Sequence, residues 1–183
     1  MVCVTMSAIA AEETVEVLRS HSPDKKFAMQ IVCETEHAKA EDIPANAVRS
    51  ASLVTLPGKQ EAASLLSEDD LRGFGGLKLV WSADSQWCAF YSGTQRIGYT
   101  TVFRRKDEAF IKVANEEQLS VPNEVDTRNE YISPVRWVKP GVLLLEHRII
   151  PRGDGAGLNV QFTATFDAKT GKFRIGGVKK LAH

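Results

Sequence analysis

Few side chains suited to chemistry come together in this sequence. Cys33 and His37 lie four residues apart in a segment of extended-strand composition, so both side chains would share one strand face, with Thr35 between them. Glu34 and Glu36 would lie on the other face. A thiol and an imidazole can begin a metal site, but zinc usually takes three or four protein ligands. Because no third ligand is evident, we predict no metal site.

His147 is the other residue suited to acid–base chemistry, and it follows Glu146 in a strongly apolar run. A general base needs a nucleophile or an acid beside it, and no motif supplies one. The chain has no GxSxG, HExxH or phosphate-binding glycine-lysine pattern. The glycine-rich run 153–157 predicts a flexible hairpin loop, and the Arg-Gly-Asp tripeptide at 152–154 is too short to indicate adhesion. We therefore predict no catalytic residue and no cofactor.

Three tryptophans could stack on a ligand or could belong to the core. Trp81 and Trp137 occupy equivalent positions in a repeating pattern described below, which favours a structural role between units. Aromatic side chains bury a large area and dominate protein cores. We predict that both residues, together with Trp87, are core residues, and the ligand-binding residues remain unknown at this stage.

Length, composition and charge indicate one ordinary globular domain. The chain has 183 residues, of which 43% are hydrophobic and 25% charged. Its 23 basic and 23 acidic residues balance, which argues against a nucleic-acid partner. Residues 1–70 carry 12 acidic and 6 basic side chains, whereas residues 71–183 carry 11 acidic and 17 basic side chains. Every charged side chain after Asp167 is basic. This asymmetry indicates attraction between the two halves or a basic C-terminal edge for an acidic partner.

The N-terminal residues and the cysteines bear on localisation. Residues 1–11 are almost all apolar, and Ala8-Ile9-Ala10 has the small-x-small form of a signal-peptidase site. We expect a signal-peptide remnant and a periplasmic or secreted protein; the alternative is a cytoplasmic protein whose apolar start packs on the core. Cys33 and Cys88 lie in strand-like segments and are predicted to be buried, and the sequence leaves their pairing open. No stretch has the roughly 18 apolar residues of a membrane span.

A pattern of strands and turns occurs three times, in residues 14–66, 77–113 and 131–178. Each occurrence has a strand, a tight turn, a strongly apolar strand and a second hairpin, with the first turns at 22–25, 82–85 and 138–141. We predict a single all-β domain over residues 12–183 with three four-stranded antiparallel units, or else a β-sandwich or barrel. Loops are expected at 34–49 and 114–130, and a short helix near 68–73.

The segment Trp81-Ser82-Ala83-Asp84-Ser85-Gln86 resembles the blade signature of Tol-type β-propellers, Trp-Ser-Pro-Asp-Gly-Lys followed by an apolar strand. Residues 22–28 match the later part of that signature, while the third unit keeps Trp137 but lacks the Ser-Pro-Asp core. The resemblance implies an exported scaffold, a binding module or a domain attached to an enzyme. In the signature the aspartate forms a turn, so we predict structural roles for Asp24 and Asp84.

Three units would not complete a propeller ring, because closed rings need four or more blades. At least one outer apolar face should then lack a neighbour, which predicts self-association or a protein partner. We expect a non-catalytic binding or scaffold domain of propeller-like type. The alternative is a hydrolase acting on sugars or peptides, with its site assembled from several loops. Three or more carboxylates or histidines converging in one cleft would favour the hydrolase.

Overall fold

The chain is built almost entirely from β-strands. A computed structural model describes residues 13–40, 43, 47–66 and 74–181. The strands are β1 (Thr14–Arg19), β2 (Phe27–Glu34), β3 (Val48–Thr55), β4 (Glu61–Leu66), β5 (Phe74–Trp81), β6 (Trp87–Thr94), β7 (Ile97–Lys106), β8 (Ala109–Ala114), β9 (Thr127–Lys139), β10 (Val142–Pro151), β11 (Leu158–Asp167) and β12 (Lys172–Lys180). A 3-10 turn at Thr35–His37 and a short helix α1 (Glu116–Leu119) complete the described elements. The all-β prediction is therefore confirmed.

The strands form two sheets and not three separate ones. Strands β1 to β4 make a four-stranded sheet, and the other eight strands make a second sheet in the order β12-β11-β10-β9-β7-β6-β5, with β8 paired to β7. The start of β9 runs parallel to the start of β7, where Ile97 and Gly98 lie opposite Glu130 and Tyr131. This short bridge merges two groups of consecutive antiparallel strands. We use unit 1, unit 2 and unit 3 for β1–β4, β5–β8 and β9–β12.

The first turns of units 1 and 2 have the same hydrogen bonds. In unit 1 the Ser22 hydroxyl donates to Asp24 Oδ1 at 2.6 Å and accepts the Phe27 N–H at 3.0 Å. In unit 2 the Ser82 hydroxyl donates to Asp84 at 2.5 Å and accepts the backbone N–H of the first β6 residue at 2.9 Å. The structure thus places both aspartates in turns, where their carboxylates bond to local donors.

Tryptophan side chains link neighbouring units at equivalent points. The Trp81 indole N–H of unit 2 donates to the Ser20 carbonyl of unit 1 at 2.6 Å, and that of Trp137 in unit 3 donates to the Val80 carbonyl of unit 2 at 3.0 Å. Ser20 and Val80 each lie two residues before the serine of the turn. Both indoles therefore hold one unit to the preceding one.

The hydrophobic core lies in two layers between the units. Phe27 of unit 1 meets the edge of Phe110 in unit 2, with ring centroids 5.1 Å apart. Trp87, which begins the second strand of unit 2 as Phe27 does in unit 1, meets the edge of Phe173 in unit 3 at 6.3 Å. Each layer thus places an aromatic residue of one unit against the outermost strand of the next.

Several expectations concern other parts of the chain. The expected signal remnant at 1–11 and the short helix near 68–73 lie outside the described residues. The predicted loop 114–130 contains α1, whose Leu119 is fully buried. No helix in the described ranges is long and apolar enough to span a membrane.

Candidate functional site

Corresponding positions in the three units can be identified from a hydrogen bond that occurs in each. The residue just before the second strand accepts a backbone N–H from the end of the third-strand region: Lys26 from Leu56 at 2.7 Å, Gln86 from Arg105 at 2.8 Å, and Gly141 from Phe166 at 2.8 Å. The second strands therefore begin at equivalent residues, which are Phe27, Trp87 and Val142.

Units 1 and 2 each turn one face toward the following unit, and the equivalent face of unit 3 differs from these two in burial and polarity. In unit 1 this face includes the cross-strand pair Met29 and Leu53, and in unit 2 it includes Ala89 and Val102. All four are buried in the layers between units. The equivalent pair in unit 3 is Leu144 and Thr163, which are half-buried. Thr163, which carries a hydroxyl, therefore occupies the position in unit 3 that is equivalent to the buried Leu53 and Val102.

The next row of side chains shows the same change. Ile31 pairs with Ala51 in unit 1, and both are buried. In unit 3 the equivalent pair is Glu146 and Gln161. The outer face of unit 3 is therefore more polar than the equivalent faces of units 1 and 2, although Val142 and Leu144 also lie on it. The uncovered apolar face expected from the sequence is not found there, because Thr163, Glu146 and Gln161 occupy positions whose equivalents in unit 1 are buried and apolar.

The opposite end of the array carries polar side chains over part of its face. On the face of unit 1 that points away from unit 2, Gln30 pairs with Ser52 and Val32 pairs with Ser50, and all four side chains are half-buried. The adjoining pair on this face, Ala28 and Val54, is apolar and fully buried, so the unit 1 end is polar only in part.

The outer face of unit 3 has an excess of positive charge. Strand alternation and cross-strand register place six exposed basic side chains on it. These are Arg136, Lys139, Arg148, Lys172, Arg174 and Lys179, and we call this surface the basic face. Its two acidic residues are Glu146 and Asp167, and the Arg174 guanidinium bonds to the Asp167 carboxylate at 2.5 Å. The Lys169 backbone N–H lowers the pKa of Asp167, which keeps that carboxyl ionised.

The basic face ends at β12, which also contacts helix α1. Strand β12 is the last strand of the eight-stranded sheet, and β11 is its only paired neighbour among the described residues. The register shifts between Gln161 and Thr163, close to Gly177, whose φ of 60° lies in the left-handed region that glycine adopts readily. Val178 follows and is 51% exposed. The regular part of β12 therefore runs from Lys172 to Gly176.

His147 is buried in the layer between units 2 and 3 and has a bonded partner on each ring nitrogen. Its Nδ1 accepts the Val121 N–H at 3.2 Å, so the proton lies on Nε2, which donates to Glu130 at 2.8 Å. Burial lowers the pKa of His147, and Glu130 opposes that shift. A neutral imidazole with both nitrogens engaged positions the loop before β9. The sequence could not show these partners, because both lie far along the chain.

The structure separates Cys33 from His37 and brings His37 to the glutamates. Cys33 is buried in β2, whereas His37 lies in the 3-10 turn, so the predicted extended arrangement of this segment is wrong. Ligand atoms of Glu34, Glu36 and His37 lie within 4.8 Å of one another. Arg49 bonds to Glu34 at 2.6 Å and competes with any cation there. The absence of a metal site stays a prediction.

A cavity lies between the outer strands of units 1 and 2. It has a volume of about 560 Å3, and its lining includes Leu65 on one side and Phe103, Phe110 and Lys112 on the other. The chain leaves β4 beside this cavity and continues into residues 67–73, which lie outside the described ranges. The cavity therefore does not by itself define a binding site.

The remaining candidates from the sequence have structural settings. Cys33 and Cys88 are free thiols in the core layer between units 1 and 2, and burial raises the pKa of both. In the Arg-Gly-Asp tripeptide, Arg152 donates to the Thr127 carbonyl at 3.2 Å and lies 3.9 Å from Asp126. That arginine is thus tied to the preceding loop.

Comparison of the chain with protein-family models, with curated proteins and with solved structures found no match.

Proposed function

We propose that this chain is a non-catalytic binding or scaffold domain of propeller-like type, and that its basic face binds an acidic protein partner. The observation that carries the proposal is the change of side-chain type on one equivalent face. Units 1 and 2 bury Leu53 and Val102 there, whereas unit 3 presents Thr163 among exposed cations. Solvation alone would need polar residues, but it would not need an excess of one charge.

The propeller-like arrangement is supported by contacts that recur from unit to unit. Indole-to-carbonyl bonds link unit 2 to unit 1 and unit 3 to unit 2 through equivalent residues. The serine–aspartate turn has the same geometry in units 1 and 2. Each unit would then resemble a blade, with its fourth strand outermost and its faces stacked on its neighbours.

Charge complementarity identifies the chemistry of the partner. A surface with six cations and two carboxylates attracts acidic groups and speeds their encounter, and this attraction weakens with added salt. The chain as a whole has no net charge, which disfavours the broad phosphate contacts of nucleic-acid binding. An acidic protein segment fits both observations.

Two carboxylates and one histidine do converge, at Glu34, Glu36 and His37, but all three come from one short segment at the end of β2, and Glu34 is paired with Arg49 at 2.6 Å. The setting of His147, the other candidate base, favours binding over hydrolysis. Its two ring nitrogens are occupied by Val121 and Glu130, so it has no free lone pair with which to accept a proton from a substrate. The proposal also includes export, which rests on the apolar residues 1–11. Sequencing the N-terminus of protein recovered from its native host tests export separately, since an intact Met1 would contradict it.

The proposed function is tested by selecting peptides from a random display library on the immobilised protein. We expect the selected peptides to be rich in Asp and Glu, and to bind a Lys172→Glu/Lys179→Glu variant at least tenfold more weakly, about 1.4 kcal/mol. The matched control is Lys39→Glu/Lys112→Glu, which makes the same charge change on exposed residues of units 1 and 2. Urea unfolding shows that both variants are folded.

Two results would overturn the proposal. The first is selection of peptides without acidic residues, or of peptides that bind both variants equally well. The second is tighter binding of a single-stranded oligonucleotide than of the selected peptides, since this would assign the basic face to phosphate recognition.

A further inference from the structure

We infer that the segment recognised by the basic face is extended and adds as a further strand to β12, at the edge that has no paired strand within the described residues. This inference rests on the proposed function and specifies how the acidic partner binds. The observations that carry it are the position of β12 at the end of the eight-stranded sheet and the basic residues that β12 contributes.

An exposed strand edge presents unpaired backbone N–H and C=O groups, and these can pair with an extended peptide. Within the described residues β12 pairs on one side only, with β11. Its regular stretch from Lys172 to Gly176 is about 17 Å long at roughly 3.3 Å per residue. That length accommodates a strand of about five residues.

Basic residues on an edge strand have a second explanation, because lysine at a sheet edge hinders aggregation. If protection were the whole reason, the other outermost strands would need it as well. Strand β4 has no basic residue and β8 has only Lys112, whereas β12 has Lys172, Arg174, Lys179 and Lys180. The two other edge strands, β1 and β5, have one basic residue each, Arg19 and Lys78, so the charge is concentrated on β12.

The spacing of the cations also fits an added strand. Lys172 and Arg174 point to the same side of the sheet, because side chains alternate along a strand. A strand paired to β12 would lie about 4.8 Å away and would place every second side chain on that same side. Acidic residues at alternate positions would therefore lie opposite these two cations, and cross-strand pairs of opposite charge are stabilising.

The test uses a blocked, fluorescent peptide of about eight residues with alternating Glu and Val, measured by anisotropy at low and at physiological salt. Two derivatives carry N-methyl groups on alternate amides, so that each has one of its two hydrogen-bonding edges blocked. If the peptide adds to β12, one derivative should bind at least tenfold more weakly and the other should bind as the parent does. A Lys–Val peptide should not bind.

The possible outcomes separate the inference from the proposed function. Equal binding of the parent and both derivatives would show contact through side chains only, which overturns strand addition but leaves the basic face as the binding surface. Failure of the parent to bind, while display-selected acidic peptides still bind, would also overturn strand addition. Loss of both kinds of binding would overturn the proposed function itself.

Discussion

Val102 and Thr163 occupy equivalent positions in units 2 and 3. We expect Val102→Thr and Thr163→Val to lower the free energy of unfolding by different amounts. Val102 is fully buried between the units, so Val102→Thr places a hydroxyl in an apolar layer. A buried hydroxyl without a partner costs about 1–3 kcal/mol of unfolding free energy. Thr163 is half-buried, and its hydroxyl donates to the Gly176 carbonyl at 3.1 Å. In Thr163→Val water can replace this bond, so the loss should stay below about 1 kcal/mol.

Urea unfolding of both variants measures the difference, provided that the slope of free energy against urea stays unchanged. Valine and threonine have nearly the same shape, and the two substitutions are the reverse of each other, so each serves as the control for the other. We expect Val102→Thr to be the more destabilising by about 1–2 kcal/mol. If Thr163→Val costs as much or more, the outer face of unit 3 is not the solvent-adapted counterpart of a buried face.

Three further outcomes are expected. Asp84→Ala should cost about 1 kcal/mol in a urea titration, because it removes a carboxylate that accepts local turn bonds; full stability would contradict the turn role. Trp137→Phe keeps a ring but loses the bond to the Val80 carbonyl, and calorimetry should show a loss of about 1 kcal/mol. Since burial lowers the pKa of His147, its contribution to stability should be complete above its usual pKa of 6.5 and lost as the pH falls through the lowered value. A His147→Gln variant should lack this part of the pH dependence of the urea midpoint.

Much of the strand pattern could be predicted from the sequence, because alternation and turn residues are local signals. The hairpins around the Ser-x-Asp turns are observed where they were predicted, with Asp24 and Asp84 in the turns. The basic character of the C-terminal part is also visible in the sequence after Asp167. All of these signals depend on residues that lie close together in the sequence.

Features that depend on distant contacts could not be predicted. The parallel bridge between β7 and β9 joins residues more than thirty positions apart, and no local pattern marks it. The polarity of the unit 3 face depends on which residues share a face, and only the register pairs Leu144 with Thr163 and Glu146 with Gln161. The apolar sequence of β10 therefore suggested an uncovered apolar face, whereas its outward positions pair with polar residues of β11.

The central claim is that the basic face of unit 3 is the binding surface. Its most direct test is a backbone NMR titration of the labelled protein with an acidic peptide obtained by display selection. We expect the largest amide shift changes on β10 to β12, at Arg148, Thr165 and Arg174, and we expect these changes to decrease as salt is added. Largest changes at Leu65 and Phe110, which line the cavity between units 1 and 2, would contradict it.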